Sequence, residues 1–141
     1  MMERNSPLAA PFFREEVVPG DIKLVREMVA ATGFFSADEV DIAADLVAER
    51  LEQGPDSGYE FILAEVNGVV KGYSCYGKIP CSTVSWDLYW IAVNPEQQGS
   101  GLGRRILELT EQRIAEQGGL AVYAETSGKD LYISTRHFYE R

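Results

Sequence analysis

Gln98-Gly99-Ser100-Gly101-Leu102-Gly103 decides how this chain is read. The hexapeptide follows an apolar run, Leu88 to Val93, and a turn at Asn94-Pro95, and it opens a helical pattern from Arg104 to Gln117. A strand, a glycine loop and a helix start, in that order, make an anion site. Glycines let the backbone approach a ligand and aim successive N–H groups at it. The helix N-terminus adds about half a positive charge. The guest that suits such a loop is a phosphate or pyrophosphate. A bare connection between strand and helix is the alternative, but Gly99, Gly101 and Gly103 are more glycine than a turn needs, because each costs backbone entropy on folding.

Three kinds of phosphate loop compete for the segment. A nucleoside-triphosphate loop requires Lys-Ser or Lys-Thr after its last glycine. Gly103 is followed by Arg104-Arg105, which leaves no hydroxyl for a magnesium ion. A dinucleotide fingerprint spaces its glycines G-x-G-x-x-G. Counted from Gly99 and Gly101, the third glycine falls on Arg104, yet Glu125 stands near the place of the ribose-binding acid, so that reading stays open. The third pattern, Gln/Arg-x-x-Gly-x-Gly/Ala, is met at each fixed position by Gln98, Gly101 and Gly103.

On that third pattern the chain resembles the GNAT superfamily of N-acetyltransferases. Trp86 to Val93 is similar to the family's fourth strand and Leu120 to Glu125 to its fifth, while Thr135-Arg136-His137-Phe138-Tyr139-Glu140 resembles its last conserved motif. The resemblance spans about residues 12 to 141 and is most specific from 86 onward. It implies acetyl-CoA as co-substrate, with the pyrophosphate held by Gln98, Gly99, Ser100, Gly101, Leu102, Gly103 and Arg104. It implies that strands four and five splay apart and that the pantetheine arm lies along the backbone of Ile91, Ala92 and Val93. Tyr132 stands where the family places a cofactor-contacting asparagine, and Thr135 where alanine is usual.

The remaining elements fit one α/β domain. Phe12 to Val18 reads as a strand ended by Pro19-Gly20. Asp21 is placed to cap a short helix carrying Ile22, Val25, Met28 and Val29 on one face. Ser36 and Glu39 form a capping box for a second helix, with Val40, Ala43, Ala44, Val47 and Leu51 inward and Gly54-Pro55 as its stop. Asn67-Gly68 between two strand-like runs, Tyr59–Val66 and Val69–Tyr76, predicts a hairpin. Strand four covers Val84 to Val93. Ile106, Leu107, Thr110 and Ile114 stripe the third helix, and the crossover makes strand five parallel to strand four. Asp130 to Arg141 reads as a last helix. The expected fold is a mixed, mostly antiparallel sheet with a parallel, splayed pair and helices on both faces. Residues 1–11 read as a loose tail before a single domain over 12–141.

Acetyl transfer to an amine requires the ammonium to lose a proton, the thioester carbonyl to be polarised and the thiolate to leave, commonly with a proton. Asp87 interrupts an aromatic, apolar strand, where an idle buried carboxylate is costly, and is the candidate base. It also aligns where some family members carry a catalytic glutamate. A solvent-facing position is the alternative, and Glu125 is the substitute base. Tyr139 matches the tyrosine many family members aim at the sulfur and is the candidate acid. Trp86, Tyr89 and Trp90 are either acceptor-pocket lining or core, and Tyr73 and Tyr76 are equally open.

Composition narrows the function further. The 141 residues are 45% apolar with a formal net charge of −9. That charge argues against nucleic acid and suits a cationic acceptor such as a protonated small-molecule amine. No apolar run reaches membrane-span length and Met1 to Pro11 lacks a secretory h-region, so no membrane partner is expected and the cytoplasm is the default. Cys75 and Cys81 have no metal-site spacing and no metal is expected, while His137 is the lone histidine. The sequence ends two residues after Tyr139, where the family continues through two more strands. The domain is therefore expected to be incomplete at its C-terminus, leaving strand five an open edge. A truncated form, a disrupted gene and a partner copy covering that edge are the alternatives. The expected activity is transfer of acetyl from acetyl-CoA to a primary amine by direct attack. An inactive acyl-CoA-binding module and a nucleotide-binding oxidoreductase domain are the rivals.

Overall fold

The computed structural model describes residues 10–97 and 99–124. The chain runs β1 (Phe12–Arg14), α1 (Gly20–Ala31), α2 (Ala37–Gln53), β2 (Glu60–Val66), β3 (Val69–Lys78), β4 (Ser85–Val93), α3 (Leu102–Glu116) and β5 (Ala121–Ala124). The strands lie side by side in chain order. The first four are antiparallel, and β5 is parallel to β4. This is the expected mixed sheet. A doubly wound dinucleotide sheet would be built of parallel strands throughout.

Alternation along β2 sorts the two cores. Phe61 and Leu63 face α1 and α2, where Val25, Met28, Val29, Val40, Ala43 and Val47 bury their side chains. Ile62, Ala64 and Val66 face α3, against Leu102, Ile106 and Ile114. The helices therefore cover both faces. Asn67 and Gly68 both have positive φ, 54° and 81°, as a two-residue type I′ hairpin requires. The Ser36–Glu39 capping box forms in full, with Glu39 N–H donating to Ser36 Oγ and Ser36 N–H to Glu39 Oε1.

Three local expectations are corrected. β1 stops at Arg14 rather than Val18, because Arg14 turns to bind Asp21 through both carboxylate oxygens, at 2.7 and 3.1 Å. Asp21 is not the α1 cap: the helix starts at Gly20, and Asp21, fully buried in the first turn, accepts from Arg14 and from Val18 N–H. Helix α3 begins two residues earlier than its periodicity suggests, since Leu102 is an anchor in the α3 core. Glu125 and the expected last helix lie outside the described residues.

Strand β4 changes phase at its middle. Cys75 pairs with Trp90 and Tyr76 with Leu88, so Tyr89 is an extra residue, a β-bulge. Before it, Trp86 and Leu88 face α3; after it, Trp90 and Ala92 face α1 and α2. Ser85 to Leu88 pair with Ala121 to Ala124, and Tyr89 to Val93 have no partner on that side among the described residues.

Candidate active site

The glycine segment is held in shape by its own hydrogen bonds. Asn94 N–H donates to Lys71 C=O, and Asn94 Oδ1 accepts from Glu96 N–H at 2.9 Å, starting a turn that carries the chain off β4. Gln97 C=O accepts both Ser100 N–H and Ser100 Oγ, the latter at 2.7 Å. Ser100 Oγ then accepts from Leu102 N–H at 3.3 Å. Gly99 and Gly101 sit at φ 83° and 88°, in the left-handed region that side chains resist, and Gly101 is the N-cap of α3. Around a Cβ built at either there is no atom within 4 Å, so the space beside both is open.

Gly101 offers no side-chain cap, and the first bond into the helix is Arg105 N–H to Gly101 C=O. The amides of Gly103 and Arg104 therefore precede the helical ladder and need an acceptor from outside it. Such an N-terminus, with two glycines bare of Cβ beside it, fits a diphosphate. Gly103 has another role: a Cβ there would meet Val93 Cγ2 at 3.3 Å, so its absence lets α3 sit close on β4.

Placement of the expected site residues is as follows. Ile91 and Ala92 are buried and Val93 is half-buried, all on the stretch of β4 past the bulge. Ser100 and Gly101 are exposed, Leu102 is buried, and Arg104 is exposed on the first turn of α3. Asp87 is half-buried, pairs in register with Gly77 and Tyr123, and lies one residue before the last β4–β5 pair among the described residues. It lies near the Tyr89 phenol, whose pKa is raised first by burial and then by the Asp87 charge. Gln98, Tyr132 and Tyr139 lie outside the described residues.

Two features had no expectation behind them. Arg105 stacks over the Phe13 ring, 5.4 Å from its centroid, and lines a cavity of about 420 Å³ with Ala10, Pro11, Val66, Gln97, Ser100 and Leu102. Of the arginine pair, Arg105 is thus engaged with β1. Phe35, between α1 and α2, meets Trp90 edge to face with centroids 4.9 Å apart. No periodicity marks Phe35, because it stands between two helix caps rather than on a face. Of the three β4 aromatics, Trp86 is parted from Tyr89 and Trp90 and packs on the α3 side. Among the described residues no group of His, Cys, Asp or Glu is arranged to hold a metal, and no helix is long and apolar enough to cross a membrane.

A strand leading through a left-handed glycine cap into a helix, on a mixed sheet whose last two strands are parallel, is an arrangement suited to an anion. The model of the Acetyltransferase (GNAT) family matches residues 26–141, and the chain belongs to that family. A solved structure from Desulfovibrio desulfuricans, assigned to the GNAT acetyltransferases, is 45% identical, with 94% of this chain and 83% of that one covered and a TM-score of 0.83. The PaiA N-acetyltransferase of Thermoplasma acidophilum, solved with coenzyme A, shares the fold at 14% identity and a TM-score of 0.71, over 94% and 88% of the two chains. A GNAT acetyltransferase of Brucella melitensis, solved with acetyl-CoA, shares it at 17% and 0.67, over 89% and 80%. No curated protein sequence matches the chain.

Proposed function

We propose that this protein is an acetyl-CoA-dependent N-acetyltransferase acting on a primary amine of a small molecule by direct attack. The observation that carries the proposal is the left-handed Gly101 cap, which leaves the Gly103 and Arg104 amides without an acceptor among the described residues, on the segment that follows β4. Those amides, with Gln98, Gly99, Ser100, Leu102 and the Arg104 guanidinium, hold the pyrophosphate. Backbone groups of Ile91, Ala92 and Val93 bind the pantetheine arm as a neighbouring strand would. Bound there, acetyl-CoA supplies an activated acyl group, and the chemistry needs no metal. CoA complexes of proteins with the same fold support the reading.

In this scheme Asp87 takes the proton of the ammonium, directly or through a water. Its place two residues before the bulge, beside a half-buried phenol, keeps it near where the acyl group would lie. Tyr139 donates to the departing sulfur and Tyr132 contacts the cofactor, both on the strength of the family motif. The formal charge of −9 favours approach of a cationic acceptor.

Calorimetry with acetyl-CoA and NAD in parallel tests the site. Acetyl-CoA binding that Gly101→Glu abolishes, with circular dichroism unchanged, is the expected result; unaltered affinity refutes the loop assignment. Loss of thioester absorbance that depends on an added amine, across a panel of amines, tests the activity. Binding without turnover throughout that panel leaves an acyl-CoA-binding module instead.

A further inference from the structure

Phe35 makes a contact that the layered fold does not require. The sheet separates the core under α1 and α2 from the core under α3, and among the described residues Phe35 is the only partly buried apolar side chain packed against both. Reaching both cores means passing the sheet, and the ring of Trp90 fixes where. Trp90 follows the bulge, within the Tyr89–Val93 stretch, which has no partner on the β5 side among the described residues. Phe35 thus stands over β4 just past the bulge, with its ring edge to face on Trp90 at 61°.

The segment that presents Phe35 is fixed from both sides. Thr32 Oγ1 donates to Val29 C=O at 2.7 Å and accepts from Phe34 N–H at 3.3 Å. Gly33 takes φ 76°, and the Ser36–Glu39 box closes the other end. Two helix caps four residues apart leave Phe34 and Phe35 little freedom of backbone. Phe34 is 58% exposed and Phe35 is half-buried, so only the second is committed to Trp90.

We propose that Phe35, backed by Trp90, limits the length of the acyl group this site accepts, making it a specificity-determining residue. The inference rests on the reading of β4 as the track of an acyl-CoA. An acyl group carried along Ile91–Val93 toward the bulge arrives at the paired rings. Acetyl fits short of them, whereas a longer chain must displace a ring that is packed on two cores. Overpacking of that kind weakens binding by about tenfold or more.

The test is calorimetry of CoA, acetyl-CoA, butyryl-CoA and hexanoyl-CoA against the wild type, Phe35→Ala, Phe35→Leu and Phe34→Ala. The wild type is expected to bind hexanoyl-CoA about tenfold more weakly than acetyl-CoA, Phe35→Ala to bring the two within about threefold, and Phe35→Leu to fall between. Phe34→Ala keeps the wild-type ratio. Thermal melting checks each fold, and Phe35→Leu carries the comparison if the alanine variant does not fold. A wild type that binds both acyl-CoAs equally, or folded Phe35 variants that keep its preference, overturns the proposal while leaving acetyl-CoA binding in place. Absence of binding for every CoA compound removes the functional reading and this inference with it.

Discussion

Ser74 Oγ and Thr110 Oγ1 lie 2.7 Å apart in a fully buried contact between β3 and α3. Thr110 Oγ1 also donates to Ile106 C=O at 2.7 Å, which spends its only proton, so Ser74 is the donor of the pair. The two replacements are therefore unequal. Thr110→Val strands a buried Ser74 hydroxyl and is expected to cost about 2 kcal/mol, whereas Ser74→Ala leaves Thr110 satisfied and costs about 1. The double variant should be more stable than the sum of the two losses implies. Urea unfolding of the four proteins measures this; strict additivity contradicts the coupling, and equal costs for the two single variants contradict the assignment of the proton.

Gly72 sets how closely α3 rides on the sheet. A Cβ there would meet Ile106 Cδ1 at 2.7 Å and Ala92 C=O at 3.3 Å. Gly72→Ala is expected to destabilise by about 1–3 kcal/mol. Because the glycine loop is the N-terminal end of the same helix, acetyl-CoA affinity should fall as well. Melting and calorimetry on one preparation read both; stability lost with affinity intact would uncouple the loop from helix seating.

Arg104 and Arg105 are both exposed, but Arg105 is stacked over Phe13. Arg104→Ala is expected to weaken CoA binding by about tenfold and to flatten its dependence on salt. Arg105→Ala acts through β1 packing and should lower stability more than affinity. Salt titrations in a calorimeter separate the two, and equal effects from both would remove the distinction.

Asp21 joins β1 to α1. Its side chain is 1% exposed, and it accepts from Arg14 and from Val18 N–H, while Arg14 reaches on to Glu65 at 2.9 Å. The hydrogen bond to Asp21 is the main reason the Arg14 guanidinium is held above its ordinary pKa. Asp21→Ala leaves the guanidinium half-partnered and the amide bare, and about 2–3 kcal/mol of stability should be lost. Chemical denaturation reads the loss, and a change below half a kcal/mol (about the effect of a surface substitution) would show the pair to be dispensable.

The two thiols should behave oppositely. Cys75 is buried and Cys81 exposed, and burial pushes the Cys75 thiol well above its ordinary value. A disulfide reagent is expected to modify Cys81 in the native protein and Cys75 only after unfolding. The Tyr76 phenol is raised too, chiefly by burial. A raised pKa in the native state means that the unfolded chain loses these protons first. The stability linked to them is complete below the ordinary thiol value of 9.0 and declines as pH rises past it, with Tyr76 adding to the decline past 10.0. Melting temperatures taken across that alkaline range measure the trend, and a flat profile would contradict it.

Much of the fold was legible because the signals are local. Asn67-Gly68 can turn left-handed at both residues, Ser36 and Glu39 can close a box without help, and the spacing of Val40, Ala43, Ala44 and Val47 matches one helix face. The loop was legible for the same reason: Gly99 and Gly101 do adopt the positive φ that their residue type permits. The bulge at Tyr89 was not. Strict alternation places Trp86, Leu88, Trp90 and Ala92 on one face, whereas the extra residue divides them between two cores. Nor could Asp21 be told from a cap, since its role depends on Arg14 arriving from another strand.

Sequence by itself determined the order of elements, the open helix start and the family, because these rest on residue types and spacings within a few neighbours. Tertiary structure decided what surrounds the bulge in β4: Asp87 just before it, Trp90 turned to the α1–α2 side, and Phe35 brought across from a loop far away in the chain. A side chain between two caps carries no periodic signal. Its partner is chosen only when the helices dock and one inserted residue shifts the phase of the strand beneath them.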